Sequence, residues 1–215
     1  MIRIGVLASG RGSNFQSIID GIKEKDIDGE VVALVVDNPE AGAIERAQAN
    51  GIPYFIVEKK DYPGKGEMNR RIAEILKGKK VDLVVLAGYM RIISKELLGP
   101  FRNRMINIHP ALLPSFPGLD AQKQAFEHGV KVSGCTVHFV DEGTDTGPII
   151  EQTPVYIGDC KDAHEASERI LPFEHKTMRK VVAYSSPRPS DQAISPMAMC
   201  RGCIGVERMA SYTLP

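Results

Sequence analysis

The run Val31-Val32-Ala33-Leu34-Val35-Val36 presents apolar side chains to both faces of an extended segment. A strand with one wet face alternates apolar and polar residues. A strand that is apolar throughout belongs in a parallel sheet covered by helices on both sides. Ile2-Arg3-Ile4-Gly5-Val6-Leu7-Ala8 and Val81-Asp82-Leu83-Val84-Val85-Leu86-Ala87 share this character, and helical periodicity separates the three. Asn14 to Lys25 spaces Phe15, Ile18, Ile19 and Ile22 along one helix face, and Ala43 to Asn50 and Glu67 to Lys77 read as further helices. Pro53 to Val57 is a third strand, Ser94 to Leu98 a short helix closed by Gly99-Pro100, and Met105 to His109 the next strand. Such alternation implies right-handed βαβ crossovers and an α/β, doubly wound, mostly parallel sheet of Rossmann-like type.

The pattern changes after the Pro-rich stretch Pro110 to Gly118 and a helix near Ala121 to His128. Val132 to Val140 and Pro148 to Pro154, separated by a polar loop, predict an antiparallel addition at the C-terminal end of the sheet. Asp162 to Arg169 begins a helix that Pro172 is expected to kink or interrupt. Residues 1–184 thus read as one domain. From Ser185 to the end, four prolines, five serines and no sustained period predict an irregular tail.

Chemistry enters at the strand ends. Met105-Ile106-Asn107-Ile108-His109 is cut off by Pro110, and ligands of open α/β sheets bind at that carboxyl edge. Asn107 can donate to a developing oxyanion, His109 can shuttle a proton, and Asp145 can fix and charge the imidazole. Ser9-Gly10-Arg11-Gly12-Ser13-Asn14 joins the first strand to the first helix, where free amides attract an anion. Phe15 stands where a dinucleotide fingerprint has its third glycine, so a phosphate monoester fits better. The plainer alternative is a βα turn capped by Ser13 or Asn14. Gly88-Tyr89-Met90-Arg91-Ile92-Ile93 either exposes backbone to a flat heteroaromatic ring or starts a core helix. Asp37-Asn38-Pro39 reads as an ordinary turn in preference to a ribose site. His138, on an apolar strand, reads by itself as a satisfied core residue.

Balanced charge, with 27 basic and 27 acidic residues, argues against nucleic acid or a membrane surface as partner. No apolar run approaches the roughly 20 residues of a membrane span. Four scattered cysteines suit a reducing cytoplasm. Cys200-Arg201-Gly202-Cys203 is only half of a zinc ligand set, so no metal is expected.

Taken together, the 9–14 loop, Leu86 to Ile92, Ile106 to Gly118 and Gly134 to Ile150 resemble the phosphoribosylglycinamide formyltransferase family of folate-dependent enzymes. The resemblance covers about residues 1–180. It implies transfer of a formyl group from 10-formyltetrahydrofolate to the amine of phosphoribosylglycinamide in purine biosynthesis. The N-terminal half would bind nucleotide and the C-terminal half folate, with both substrates small molecules and the protein a monomer or homodimer. Asn107, His109 and Asp145 would be catalytic. Gly12, Ser13 and Asn14 would hold the phosphate and Glu174 the ribose hydroxyls. Lys65, Met90, Arg91, Ile92, Ile93, Asn107, His138 and Val140 would contact folate. The chain departs from the family pattern at Pro172, at Thr177-Met178-Arg179 and throughout the tail. Other readings are a formyl-folate deformylase and a non-catalytic nucleotide-binding module. A deformylase is expected to carry a preceding regulatory domain, whereas the first strand here begins at Ile2.

Overall fold

The computed structural model describes residues 1–185. Its strands are β1 (Ile2–Ala8), β2 (Gly29–Val36), β3 (Tyr54–Ile56), β4 (Leu83–Leu86), β5 (Met105–His109), β6 (Val132–Phe139) and β7 (Ile149–Tyr156). They form one sheet in the order β3-β2-β1-β4-β5-β6-β7. Pairing is parallel from β3 through β5 and antiparallel for β5–β6 and β6–β7. The helices are α1 (Ser13–Lys23), α2 (Ala43–Ala49), α3 (Lys65–Gly78), α4 (Lys95–Leu98), α5 (Ala121–Glu127) and α6 (Ala163–Ser185).

Alternation along each strand sorts the core into two layers. Ile4, Val6 and Ala8 of β1 pack with Phe15 and Ile18 of α1 and with Ile170, Met178 and Val182 of α6. Leu7, between them, faces the other layer with Ile72 and Leu76 of α3 and Leu97 of α4. Burial on both faces is what removes the polar positions from residues 31–36 of β2 and from β4.

One open alternative is decided and one expectation changes. Gly88 to Ile93 is loop, not the start of a core helix, and Met90 and Ile92 are 61% and 67% exposed. Helix α6 continues through Pro172 without interruption. A proline inside a helix removes one intrahelical hydrogen bond and crowds the preceding turn. Here Ala166 and Ile170 before it, and Met178, Val181 and Val182 after it, are buried in one core layer. Packing on both sides therefore holds the helix together. Pro154 is tolerated inside β7 because that strand lies at the sheet edge. The predicted tail and the Cys200–Cys203 pair lie outside the described residues, apart from Ser185, which ends α6.

Candidate active site

Strand order reverses between β1 and β4, and a cleft of 710 Å³ opens over the carboxyl ends of β1, β4 and β5. Because side chains two apart share a strand face, β5 delivers Asn107 and His109 to the cleft while Ile106 and Ile108 pack into the core. Asp145 arrives from the β6–β7 loop with φ of 56°, a left-handed conformation that Asp and Asn accept more readily than most residues. The loop closes tightly: a Cβ on Gly147 would lie 1.8 Å from the Phe139 carbonyl oxygen.

These groups converge. His109 Nδ1 lies 3.3 Å from Asp145 Oδ2, and His109 Nε2 lies 2.8 Å from the Phe116 carbonyl oxygen. The Gly118 N–H donates to the same Oδ2 at 2.8 Å. Asn107 Nδ2 donates to Asp145 Oδ1 at 3.4 Å and lies 3.1 Å from His138 Nε2. His138 Nε2 is also 3.5 Å from Asp145 Oδ1, and its Nδ1 faces the Phe139 carbonyl at 2.8 Å. His138 is thus bound into the same cluster and is more than a core residue.

The electrostatics revise one expectation. Asp145 was expected to raise the His109 pKa, and it does act in that direction, as does the Phe116 carbonyl. Burial outweighs both and holds the imidazole below its ordinary 6.5, so the resting ring is neutral at pH 7. Burial also opposes ionisation of Asp145. The hydrogen bonds from His138 and Gly118 and the charges of His109 and His138 overcome it, keeping that carboxyl below the ordinary carboxylate range.

At the other end of the cleft, Gly12 precedes α1 with φ of 72°, and no side chain caps the helix. The reading of Ser13 or Asn14 as N-cap is therefore not what the structure shows. The first-turn amides stay open, as an anion site requires. Ala43 N–H donates to the Gly10 carbonyl at 3.1 Å and Arg46 Nε to the Arg11 carbonyl at 2.8 Å, so both acceptors are already engaged. Buried Asn14 donates from Nδ2 to Glu174 Oε2 at 2.9 Å, while its own Oδ1 is buried without a partner among the described residues. Burial raises the Glu174 pKa, opposed by the Asn14 hydrogen bond.

The 88–93 loop forms the facing wall. Ser9 N–H donates to the Gly88 carbonyl at 3.1 Å, and Met90 N–H to Ser9 Oγ at 2.9 Å. Met90, Arg91, Ile92, Ile93 and Val140 all line the cleft. Lys65, the first residue of α3, does not. Asp37 lies where the sequence predicts a turn, and Glu40 N–H closes that turn on Asn38 Oδ1 at 3.0 Å. Its carboxylate is buried and ion-paired with Arg91, so it is not offered to a ribose. Sequence reading missed that pair, the Phe116 carbonyl and the Gly118 amide. The last two are backbone groups, and no residue type marks them. Among the described residues no cluster of three or more His, Cys, Asp or Glu is arranged to hold a metal, and no helix is long and apolar enough to cross a membrane.

A family model described as formyl transferase matches residues 2–182. The chain is 47% identical over 182 residues to phosphoribosylglycinamide formyltransferase of Bacillus subtilis (strain 168), covering 85% of this chain and 93% of that protein. It is 40% identical over 176 residues to the trifunctional purine biosynthetic protein adenosine-3 of Homo sapiens, covering 81% of this chain but 17% of that protein. Glycinamide ribonucleotide transformylase 1 from Symbiobacterium toebii superposes with a TM-score of 0.84 at 46% identity, over 86% of this chain and 89% of that one. Phosphoribosylglycinamide formyltransferase from Bacillus halodurans gives 0.85 at 39% identity, over 90% and 100%.

Proposed function

The chain belongs to the formyl transferase family, and we propose that its cleft moves a formyl group from 10-formyltetrahydrofolate to the glycyl amine of 5-phosphoribosylglycinamide. This is a step of purine biosynthesis. One observation carries the reading: a carboxamide, an imidazole and a carboxylate meet within 3.1–3.5 Å at one end of a cleft whose other end is an uncapped helix N-terminus.

Both substrates fit the groups present. Gly12, Ser13 and Asn14 offer the phosphate open amides, and the orphaned Asn14 Oδ1 with Glu174 offers acceptors to ribose hydroxyls. Met90 and Ile92, exposed where apolar side chains normally are not, give a flat pterin ring its packing surface, with Arg91, Ile93 and Val140 beside it. Lys65 has no part in this reading.

Neutral His109 accepts the proton that the amine loses as its nitrogen bonds to the formyl carbon, its Nε2 turning from the Phe116 carbonyl to do so while Nδ1 stays on Asp145. The Asp145 charge then stabilises the imidazolium that forms. His109 returns that proton to the folate nitrogen as the old carbon–nitrogen bond breaks. Asn107 donates to the oxygen that becomes anionic, sharing the N–H groups that now face His138 and Asp145. Such a donor is worth roughly 3 kcal/mol in the transition state. Alignment of amine and carbonyl supplies most of the rest, and no step calls on a metal. We take the compartment to be cytoplasmic, the partners to be small molecules alone, and the protein to be a monomer or homodimer. Thiols at Cys135 and Cys160, free in the structure, suit a reducing compartment.

The test is an absorbance assay of the purified protein with 10-formyltetrahydrofolate and phosphoribosylglycinamide. Ribonucleotide-dependent production of tetrahydrofolate supports the assignment. Release of formate without the ribonucleotide points to a deformylase. Ribonucleotide binding without turnover points to a binding module.

A further inference from the structure

The cleft wall at 88–93 poses a physical problem. Met90 and Ile92 are large apolar side chains held 61% and 67% exposed on a loop without regular structure. Left to itself, such a loop folds its apolar side chains inward. Two polar side chains from elements that do not line the cleft oppose this.

Asn69 of α3 is 1% exposed. Its Nδ2 donates to the Lys65 carbonyl at 2.8 Å and the Ile92 carbonyl at 3.4 Å, and its Oδ1 accepts from the Ser94 N–H at 3.3 Å. One amide thus fixes backbone on either side of Ile93. Asp37, at the end of β2, has a side chain only 2% exposed. Its Oδ2 holds Arg91 Nε, while its Oδ1 is buried without a hydrogen-bond partner among the described residues. Among those residues Arg91 is the ion-pair partner of this carboxylate, so displacing Arg91 would leave a buried charge unmatched. The pair crosses the carboxyl end of β1, since β1 lies between β2 and β4 in the sheet.

We infer that Asp37 and Asn69 are positioning residues for the donor half of the reaction. They set the 88–94 backbone in its ligand-ready form from opposite sides, Asp37 through Arg91 and Asn69 through Ile92 and Ser94. The inference rests on the assignment of this wall to the folate. A loop that needs no ordering on binding spends less of its contact energy on ordering, so loosening it weakens donor affinity and leaves the phosphate loop alone.

The experiment compares Asp37→Asn, Asn69→Leu, Arg91→Met and the Asp37→Asn/Arg91→Met double variant. It measures KM for each substrate, kcat, tetrahydrofolate affinity by calorimetry, and Tm. Loss of one buried anchor is expected to weaken tetrahydrofolate binding and raise donor KM about tenfold. In Asp37→Asn and Asn69→Leu, neither of which lines the cleft, the ribonucleotide KM and kcat should stay within about twofold, and Tm within a few degrees. Asp37→Asn should add nothing to donor KM in the Arg91→Met background, because it acts through that residue. The double variant also removes the unmatched charge that threatens folding of Arg91→Met alone. Wild-type donor affinity in Asp37→Asn and Asn69→Leu overturns the inference while leaving the folate site intact. Equal losses for both substrates with a falling Tm also overturn it, showing general loosening. A wild-type protein that binds no tetrahydrofolate sinks the folate assignment and the inference with it.

Discussion

Asp145 Oδ2 stands 3.3 Å from His109 Nδ1, yet the imidazole titrates below its ordinary range. Proximity to a carboxylate and net direction of shift therefore disagree, and burial decides between them. This gives the pair a job in the transition state: the charge it is placed to stabilise is absent from the resting ring at neutral pH.

A pH profile reads that arrangement. If neutral His109 is the proton acceptor, kcat/KM falls on the acid side, with an inflection below 6.5 in the free enzyme. Asp145→Asn removes the strongest of the influences that raise the His109 pKa, so this inflection moves lower still. A limb near the ordinary α-amino range of about 7.7–8.0, belonging to the substrate amine, stays put. An acid limb unmoved by the substitution would show that His109 is not the titrating group.

Asp145→Asn is also predicted to lower kcat by roughly 100- to 10,000-fold, with both KM values within about threefold. Asparagine suits the backbone, since it tolerates the φ of 56° at this position, so the loss is chemical. Single-turnover kinetics with both substrates saturating isolates the step. Near wild-type turnover removes Asp145 from the mechanism.

Glu174 predicts a gain in stability with a loss of function. Its folded pKa is raised above the ordinary 4.5 by burial, so its ionised form is disfavoured in the folded state. The sign follows. Its favourable effect is complete below the unfolded pKa and is lost as pH rises through the raised folded value. Glu174→Gln keeps an acceptor for Asn14 and removes the buried charge. Tm should rise at about pH 7–8 and change little at about pH 4, while ribonucleotide KM climbs about tenfold or more. An unchanged Tm at neutral pH would mean the carboxylate is not penalised there.

Gly12 carries the phosphate loop. A Cβ at this residue would meet Ala43 Cβ at 2.8 Å and its Cα at 2.9 Å, on a backbone whose φ of 72° already disfavours side chains. Gly12→Val should raise ribonucleotide KM by about 100-fold or more and leave tetrahydrofolate affinity nearly intact. Calorimetry with each ligand in turn separates the two, and unaltered ribonucleotide binding excludes the loop as the phosphate site.

The sheet was legible because burial on both faces strips residues 31–36 of β2, and all of β4, of polar residues, a pattern that reads without a structure. Asn107 and His109 were legible for a related reason, since a strand with period two and a terminal proline fixes which side chains share the cleft face. Asp37 was not. A buried carboxylate at a strand end and an exposed one in a turn share the same Asp-Asn-Pro, and the partner that separates them, Arg91, lies 54 positions away. Asn69 falls in an amphipathic helix where a polar residue is unremarkable until its three backbone partners are known. The shift of His109 depends on how deep the site lies, a property of the whole fold. Only the carboxylate beside it was visible in the chain.

Pro172 marks where local propensity and tertiary packing disagree, and the disagreement is measurable. Its ring removes one helix hydrogen bond and crowds the preceding turn, a penalty of about 3 kcal/mol in an unconstrained helix. The helix persists because Ile170 and Met178 are both fully buried on either side of an exposed proline. Pro172→Ala restores the missing N–H without disturbing that packing. Part of the gain is offset because alanine leaves the unfolded chain freer. A net stabilisation of about 1–2 kcal/mol is expected, which for a domain of this size raises Tm by roughly 2–8 °C. Glu174 lies two residues beyond, so ribonucleotide KM reports whether the proline also aims that carboxylate. A higher Tm with unchanged KM means the proline is tolerated and has no functional part. A higher Tm with weaker ribonucleotide binding means it sets the direction of Glu174. A lower Tm would show that this stretch of α6 depends on the proline, contrary to the packing argument.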